Sequence, residues 1–167
     1  MRFTPAAAAL SLLLALNASV GLGAVHQPDP RAATLAQEGR GELARGDVSA
    51  AIDSFEAALA VDPGYTAVFI DLAKAARAQG LQGKAIRYYR EALSREPGNL
   101  AALSGEGAAL VEKGAVEKAR RNLSRLQSLC GEGCEETREL ATALQRGPLP
   151  TVMTAEAATP ETSVTPN

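Results

Sequence analysis

A repeat of thirty-four residues constrains this 167-residue chain more than any other feature. The stretch GDVSAAIDSFEAALAVDPGY (46–65) returns as GLQGKAIRYYREALSREPGN (80–99). Gly46, Ala51, Ile52, Phe55, Ala58, Leu59 and Pro63 are matched in register by Gly80, Ala85, Ile86, Tyr89, Ala92, Leu93 and Pro97. A weaker third copy keeps Gly114, Ala119, Leu123 and Leu126. Upstream in each unit, Leu35 with Gly39, Phe69 with Ala73 and Leu103 with Gly107 mark a preceding helix. Such a unit cannot bury its apolar face alone, so neighbouring units must stack to form a core. With three Tyr, three Phe, no Trp and abundant Ala and Leu, that core consists of closely packed helices rather than a sheet. The net charge of −2 argues against a protein whose main task is neutralising nucleic-acid phosphates.

The pattern resembles the tetratricopeptide repeat, a helix-turn-helix unit, with copies at 32–65, 66–99 and 100–133. The resemblance implies an all-α fold: a right-handed α-solenoid of about three repeats closed by a C-terminal capping helix. The signature positions also have direct physical reasons. Small residues (Gly39, Ala73, Gly107, Ala51, Ala85, Ala119) belong where paired helices approach most closely, and Phe55, Tyr89 and Leu123 fill the space between units. Gly46, Gly80 and Gly114 end the first helix of each pair in a left-handed conformation, and Pro63 and Pro97 stop the second. Asp29-Pro30 suits a cap and first turn for the opening helix. Residues 134–147, with Leu140, Ala141 and Leu144 on one face and Gly147-Pro148 as a stop, form the expected cap.

Both ends differ in composition from the array. Residues 1–23 have an early Arg2, an apolar run from Ala6 to Leu16 and small residues at Gly21 and Gly23, the layout of a secretory signal peptide cleaved after Gly23, with an uncleaved membrane anchor as the less favoured alternative. Export to an oxidising space, the periplasm, is therefore expected, with residues 24–31 as a linker. His26 in that linker is read as a solvated residue without partners. Without the signal the chain has sixteen basic and nineteen acidic residues, net −3. Residues 148–167, rich in Pro and Thr and without a basic residue, are expected to form a disordered tail.

CGEGC (130–134) is the only constellation with chemical potential. A redox pair would have two intervening residues beside a strand-helix junction, haem attachment needs a His where Glu135 stands, and zinc needs about four ligands. The reading that fits best is a structural disulfide between Cys130 and Cys134, worth about 2 kcal/mol for so short a loop. A thiol-disulfide redox protein using this pair is the less favoured alternative. No Ser-His-Asp set, paired carboxylates or metal motif can be assembled. No enzyme activity, cofactor or metal is expected.

Under the resemblance, the first helix of each repeat lines a concave groove that holds a peptide or partner helix. The implied positions are Ala33, Ala36, Arg40 and Leu43, then Ala67, Ile70, Lys74 and Arg77, then Ala101, Ser104, Ala108 and Val111. Arg40, Lys74 and Arg77 among small apolar residues would suit an acidic or C-terminal segment; ordinary solvated charges are the competing reading. The family's chaperone-tail clamp is not matched, since Ala36, Arg40, Asp71 and Ala101 stand at its places. Residues 32–65 carry two basic and six acidic residues, and 74–125 eleven basic against five acidic, so self-association or steering of a partner is also open. The expected function is a non-catalytic protein-interaction module, a periplasmic adaptor or assembly factor. A self-associating structural subunit of an envelope complex is the alternative. Neither nucleic acid nor any membrane beyond the export step is expected as a partner.

Overall fold

A computed structural model of the chain describes residues 26–149, and every structural statement below concerns these residues. The signal-like segment and most of the C-terminal tail lie outside them. Seven helices follow one another: α1 (Pro30–Ala44), α2 (Val48–Val61), α3 (Thr66–Ala78), α4 (Gln82–Arg95), α5 (Leu100–Glu112), α6 (Val116–Cys130) and α7 (Glu135–Arg146). No strand occurs among the described residues. Three helical hairpins, α1–α2, α3–α4 and α5–α6, form an all-α solenoid, with α7 packed against α5 and α6.

The regular spacing of the helices comes from repeated turn chemistry. Gly46, Gly80 and Gly114 have φ of 84°, 73° and 83°, values that residues with a Cβ rarely adopt. Each glycine N–H bonds three residues back, and the next N–H bonds five back: Gly46 to Leu43 and Asp47 to Glu42, Gly80 to Arg77 and Leu81 to Ala76, Gly114 to Val111 and Ala115 to Leu110. This is the Schellman arrangement, which satisfies the last carbonyls and reverses the chain within three residues. Asp29 caps α1 by accepting from the Arg31 N–H, and Pro30 occupies the first turn, as the sequence predicts. Arginines tie the second helices of the second and third units to the turn that precedes each unit. Arg95 of α4 donates to the Pro63 carbonyl and stacks 4.5 Å from the Phe69 ring centre, and Arg125 of α6 donates to the Pro97 carbonyl.

The core divides into two clusters that meet on α3. Val68, Leu72 and Ala75 of that helix join Ala32, Ala36, Ala51, Phe55 and Ala58 of the first unit. Ile70, Ala73 and Ala76 join Tyr89, Leu103, Leu110, Leu126 and Leu140 further along. One helix thus serves two successive layers, the nearest-neighbour architecture of a repeat protein. The third unit departs from the expected packing. Leu123 stands where Phe55 and Tyr89 stand but is only half-buried, while Leu126, opposite Ala58 and Ala92, is fully buried. The large side chain has moved about one turn along α6, and Leu140 of α7 fills space beside Gly107.

Candidate functional site

A groove of about 730 Å³ lies along the first helices of the second and third units and α7. Ala101, Gly105 and Ala108 of α5 leave its floor low. Lys74 and Arg77 project from α3, and Arg138, Glu139 and Arg146 from α7. Small floor residues are partly a packing requirement, because a Cβ on Gly105 would strike the ring of buried Tyr89.

The expected groove residues do not all meet here. Lys74, Arg77 and Ser104 line the groove. Arg40 and Leu43 lie on α1, outside it. Ile70, 7% exposed, and Val111, 1% exposed, belong to the larger core cluster and offer almost no surface to a ligand. An inner helix of a solenoid has neighbours on both flanks as well as behind, so only a narrow stripe of it stays open.

Two of the three expected cations are already neutralised within the molecule. Arg40 of α1 donates to Asp71 Oδ2 of α3 at 2.8 Å, with the carboxylate almost wholly buried. Arg77 of α3 forms a two-pronged pair with Glu112 of α5. Desolvation opposes the charge of each arginine, yet the facing carboxylate keeps both guanidinium pKa values raised. Burial likewise pushes the Tyr89 phenol upward, against the pull of Arg77. A third tie continues the row, with Ser104 of α5 donating to Glu139 of α7 at 3.4 Å. Arg40 and Arg77 thus work as inter-unit clasps. Reversing either charge would set two carboxylates face to face and disturb the stack. Lys74, Arg138 and Arg146 form no ion pair among the described residues.

On the opposite side of the third unit, Glu106 is buried and accepts from Arg90 Nε at 2.7 Å and Asn122 Nδ2 at 2.9 Å. That bond gives Asn122 a structural task inside the glycosylation-like triplet Asn122-Leu123-Ser124. The Cys130 and Cys134 Sγ atoms lie 1.96 Å apart, at disulfide distance, in the turn between α6 and α7. Buried Thr137 donates to the Gly131 carbonyl at 2.9 Å and sits 3.1 Å from the Cys134 sulfur. Glu136 completes a group of three possible metal ligands, one short of the four that structural zinc sites use.

His26 is not the partnerless residue expected of the linker. Its Nε2 lies 2.8 Å from Asp62 Oδ2, which also accepts the Asp29 N–H at 3.0 Å. Asp62 Oδ1 accepts the Gly64 N–H. Asp62 thus fastens the segment that enters α1 to the turn between the first two units. The Asp29 N–H, helped by His26 and Gly64 and opposed by burial, holds the Asp62 carboxyl below its ordinary value of 3.8. The linkage sign follows directly. The contribution is complete above the ordinary carboxylate value and is lost as pH falls through the lower folded one. Acidification to about pH 2 is expected to strip hydrogen-exchange protection from the Asp29 and Gly64 amides before the α3 and α5 amides lose theirs. Protection at those two amides that tracks the helices would contradict this.

The repeat register, the Schellman turns and the stacked hairpins together give the chain the fold of tetratricopeptide-repeat domains. The same fold appears in solved structures. The first such domain of Spaghetti (RPAP3) bound to the HSP90 peptide SRMEEVD superposes with a TM-score of 0.64 at 23% identity, over 73% of this chain and 97% of that one. The Sgt2 domain of Aspergillus fumigatus gives 0.64 at 26% identity, over 71% and 80%. The Yersinia enterocolitica type III secretion chaperone SycD, in complex with a peptide of the translocator YopD, gives 0.59 at 21% identity, over 68% and 86%. No protein-family model matches the sequence, and no curated protein matches it significantly.

Proposed function

We propose that this chain is a non-catalytic interaction module that takes an extended, acidic segment of a partner protein in the groove between α3 and α7. The observation that carries the reading is the set of three cations without carboxylate partners among the described residues, Lys74, Arg138 and Arg146, around a floor of small residues. Charge-assisted bonds from such cations suit carboxylates, and the low floor lets a backbone approach. The peptides in the RPAP3 and SycD structures support the general mode, and the former contains three acidic residues. The signal-like residues 1–23 support a periplasmic adaptor or assembly factor on this reading. In that compartment Cys130 and Cys134 form a disulfide that clips α7 to the end of α6.

The test uses protein recovered from the envelope fraction. N-terminal sequencing is expected to start at Ala24, and the intact mass to be that of the oxidised cysteine pair. Used as bait against envelope extract, this protein is compared with K74E, R138E and R146E. Each reversal is expected to weaken capture roughly tenfold, about 1.4 kcal/mol. Circular dichroism should stay unchanged, because none of the three holds an ion pair within the helical array among the described residues. Capture that survives all three reversals would remove the groove from the function, and recovery of the protein alone would favour self-assembly.

A further inference from the structure

We propose that the first occupant of the groove is this chain's own C-terminal segment, residues 150–167, with Glu156 and Glu161 set against Lys74 and Arg146. This rests on the groove being a peptide site and concerns what fills it before a partner arrives.

The groove is divided lengthwise by charge. Neighbouring first-position helices meet at residues about one repeat apart: Arg77 with Glu112, Ser104 with Glu139, and Gly107 with Leu140. By that register Lys74, Ala108 and Thr142 share one level, and Ala101 and Glu135 share another about two turns, or about 10 Å, away. Glu135, Glu136 and Glu139, with the single cation Arg138 among them, therefore crowd the end where these helices begin. Lys74, Arg77 and Arg146 mark the end where they finish. Glu112 neutralises Arg77, which leaves Lys74 on one wall and Arg146 on the other.

The chain leaves α7 at this basic end, where Gly147 turns it at a φ of 76°. Residues 147–167 contain Glu156 and Glu161 and no Lys, Arg or His. An extended run from Arg146 to Glu156 reaches up to about 33 Å. Crossing from the α7 wall to the α3 wall needs roughly 20 Å, two interaxial spacings of 8–10 Å. The side chains of the segment are mostly Thr, Ala, Pro and Ser, which suit a floor made of Ala101, Gly105 and Ala108. A tethered segment acts at an effective concentration in the millimolar range, so an intrinsic Kd of about 1 mM leaves the groove about half filled. A partner segment would then enter by displacement.

Carbodiimide treatment of the full mature protein tests this directly, because it condenses a carboxylate with an amine only at contact, the carbodiimide taking up the elements of water and leaving as a urea. The expected product in the monomer fraction is an internal amide from Lys74 to Glu156 or Glu161, found by peptide mass spectrometry. It should disappear in E156Q/E161Q and at about 1 M salt, where the screening length is about 3 Å. Partner capture by E156Q/E161Q should rise severalfold over the parent. Tail glutamates that never couple to Lys74, or that couple equally to Lys84, Lys113 and Lys118, would overturn the proposal. If partner capture depends on Lys74 while this amide never forms, the tail idea fails and the groove reading stands. If the amide forms and no partner is captured, the tail contact stands and the partner reading falls.

Discussion

Replacing Leu140 with alanine is expected to lower the unfolding free energy by about 2–5 kcal/mol. Leu140 is fully buried on α7, with its methyl groups against Gly107, and shares the larger cluster with Leu103, Leu110 and Leu126. A loss near the upper end of the range follows if α7 cannot collapse onto the cavity, and the short turn holding Cys130 and Cys134 limits how far it can shift. Because repeats contact mainly their neighbours, α7 and the adjoining flank of α5 should lose hydrogen-exchange protection first. The first unit belongs to a different cluster and should follow later. The exposed T142A change on the same helix is the control, expected within about 0.5 kcal/mol. Chemical denaturation gives both values. A loss under about 1 kcal/mol for L140A would mean that α7 is dispensable for closing the stack. The functional consequence is direct: α7 supplies Arg138 and Arg146, so a protein with a loosened α7 should bind a groove ligand poorly even though Leu140 touches none.

The hairpins and their turns were legible in the sequence because their causes are local. A glycine that must be left-handed, an alanine at a close helix crossing and a proline after a helix act within a few residues. They recur every thirty-four positions, so each copy tests the others. The polar ties were hidden because their partners lie far apart in sequence: thirty-one residues separate Arg40 from Asp71, thirty-five Arg77 from Glu112, and thirty-six His26 from Asp62. A signal for the first two existed. An arginine on one unit's first helix faces an acid about one period later, which a search for opposite charges at that offset would find. His26 had no such signal, because its partner lies in a turn whose shape depends on the completed stack.

The groove was read less well for a related reason. The resemblance put Lys74, Arg77 and Ser104 on one side of α3 and α5, and all three line the groove. It did not reveal that Ile70 and Val111 lie on flanks closed by the rest of the array, because burial by a neighbouring helix is a property of the stack. Nor did it show that an exposed-looking arginine is spent on a clasp. Lys74 remained open because its lateral neighbour is Ala108 rather than an acid. Electrostatic capacity in such a groove is therefore the charge left over after neighbouring units have paired.

Gly39→Ala and Phe55→Ala are expected to destabilise the protein singly and to relieve each other in combination. A Cβ at Gly39 would lie 2.6 Å from Phe55 Cε1 and 3.1 Å from the Ala51 carbonyl oxygen. Phe55 is wholly buried between α1 and the second unit, so its ring has little room to retreat. Overpacking of this kind costs about 1–3 kcal/mol, against a gain of about 1 kcal/mol from replacing a mid-helix glycine, so G39A should be destabilising on balance. F55A creates a cavity and should cost about 3–5 kcal/mol. In the double variant the alanine methyl enters space that the ring has vacated. The clash then vanishes, the helix gain remains, and the two costs should fall short of additivity by roughly 1 kcal/mol or more. Gly41 on the same helix supplies the control. A Cβ there meets only the tip of Arg45 at 3.5 Å, so G41A should stabilise by about 0.5–1 kcal/mol. Equal effects at 39 and 41 would place the closest approach of α1 and α2 elsewhere. Strict additivity of G39A and F55A would show that the Phe55 ring does not set the helix spacing in the first unit.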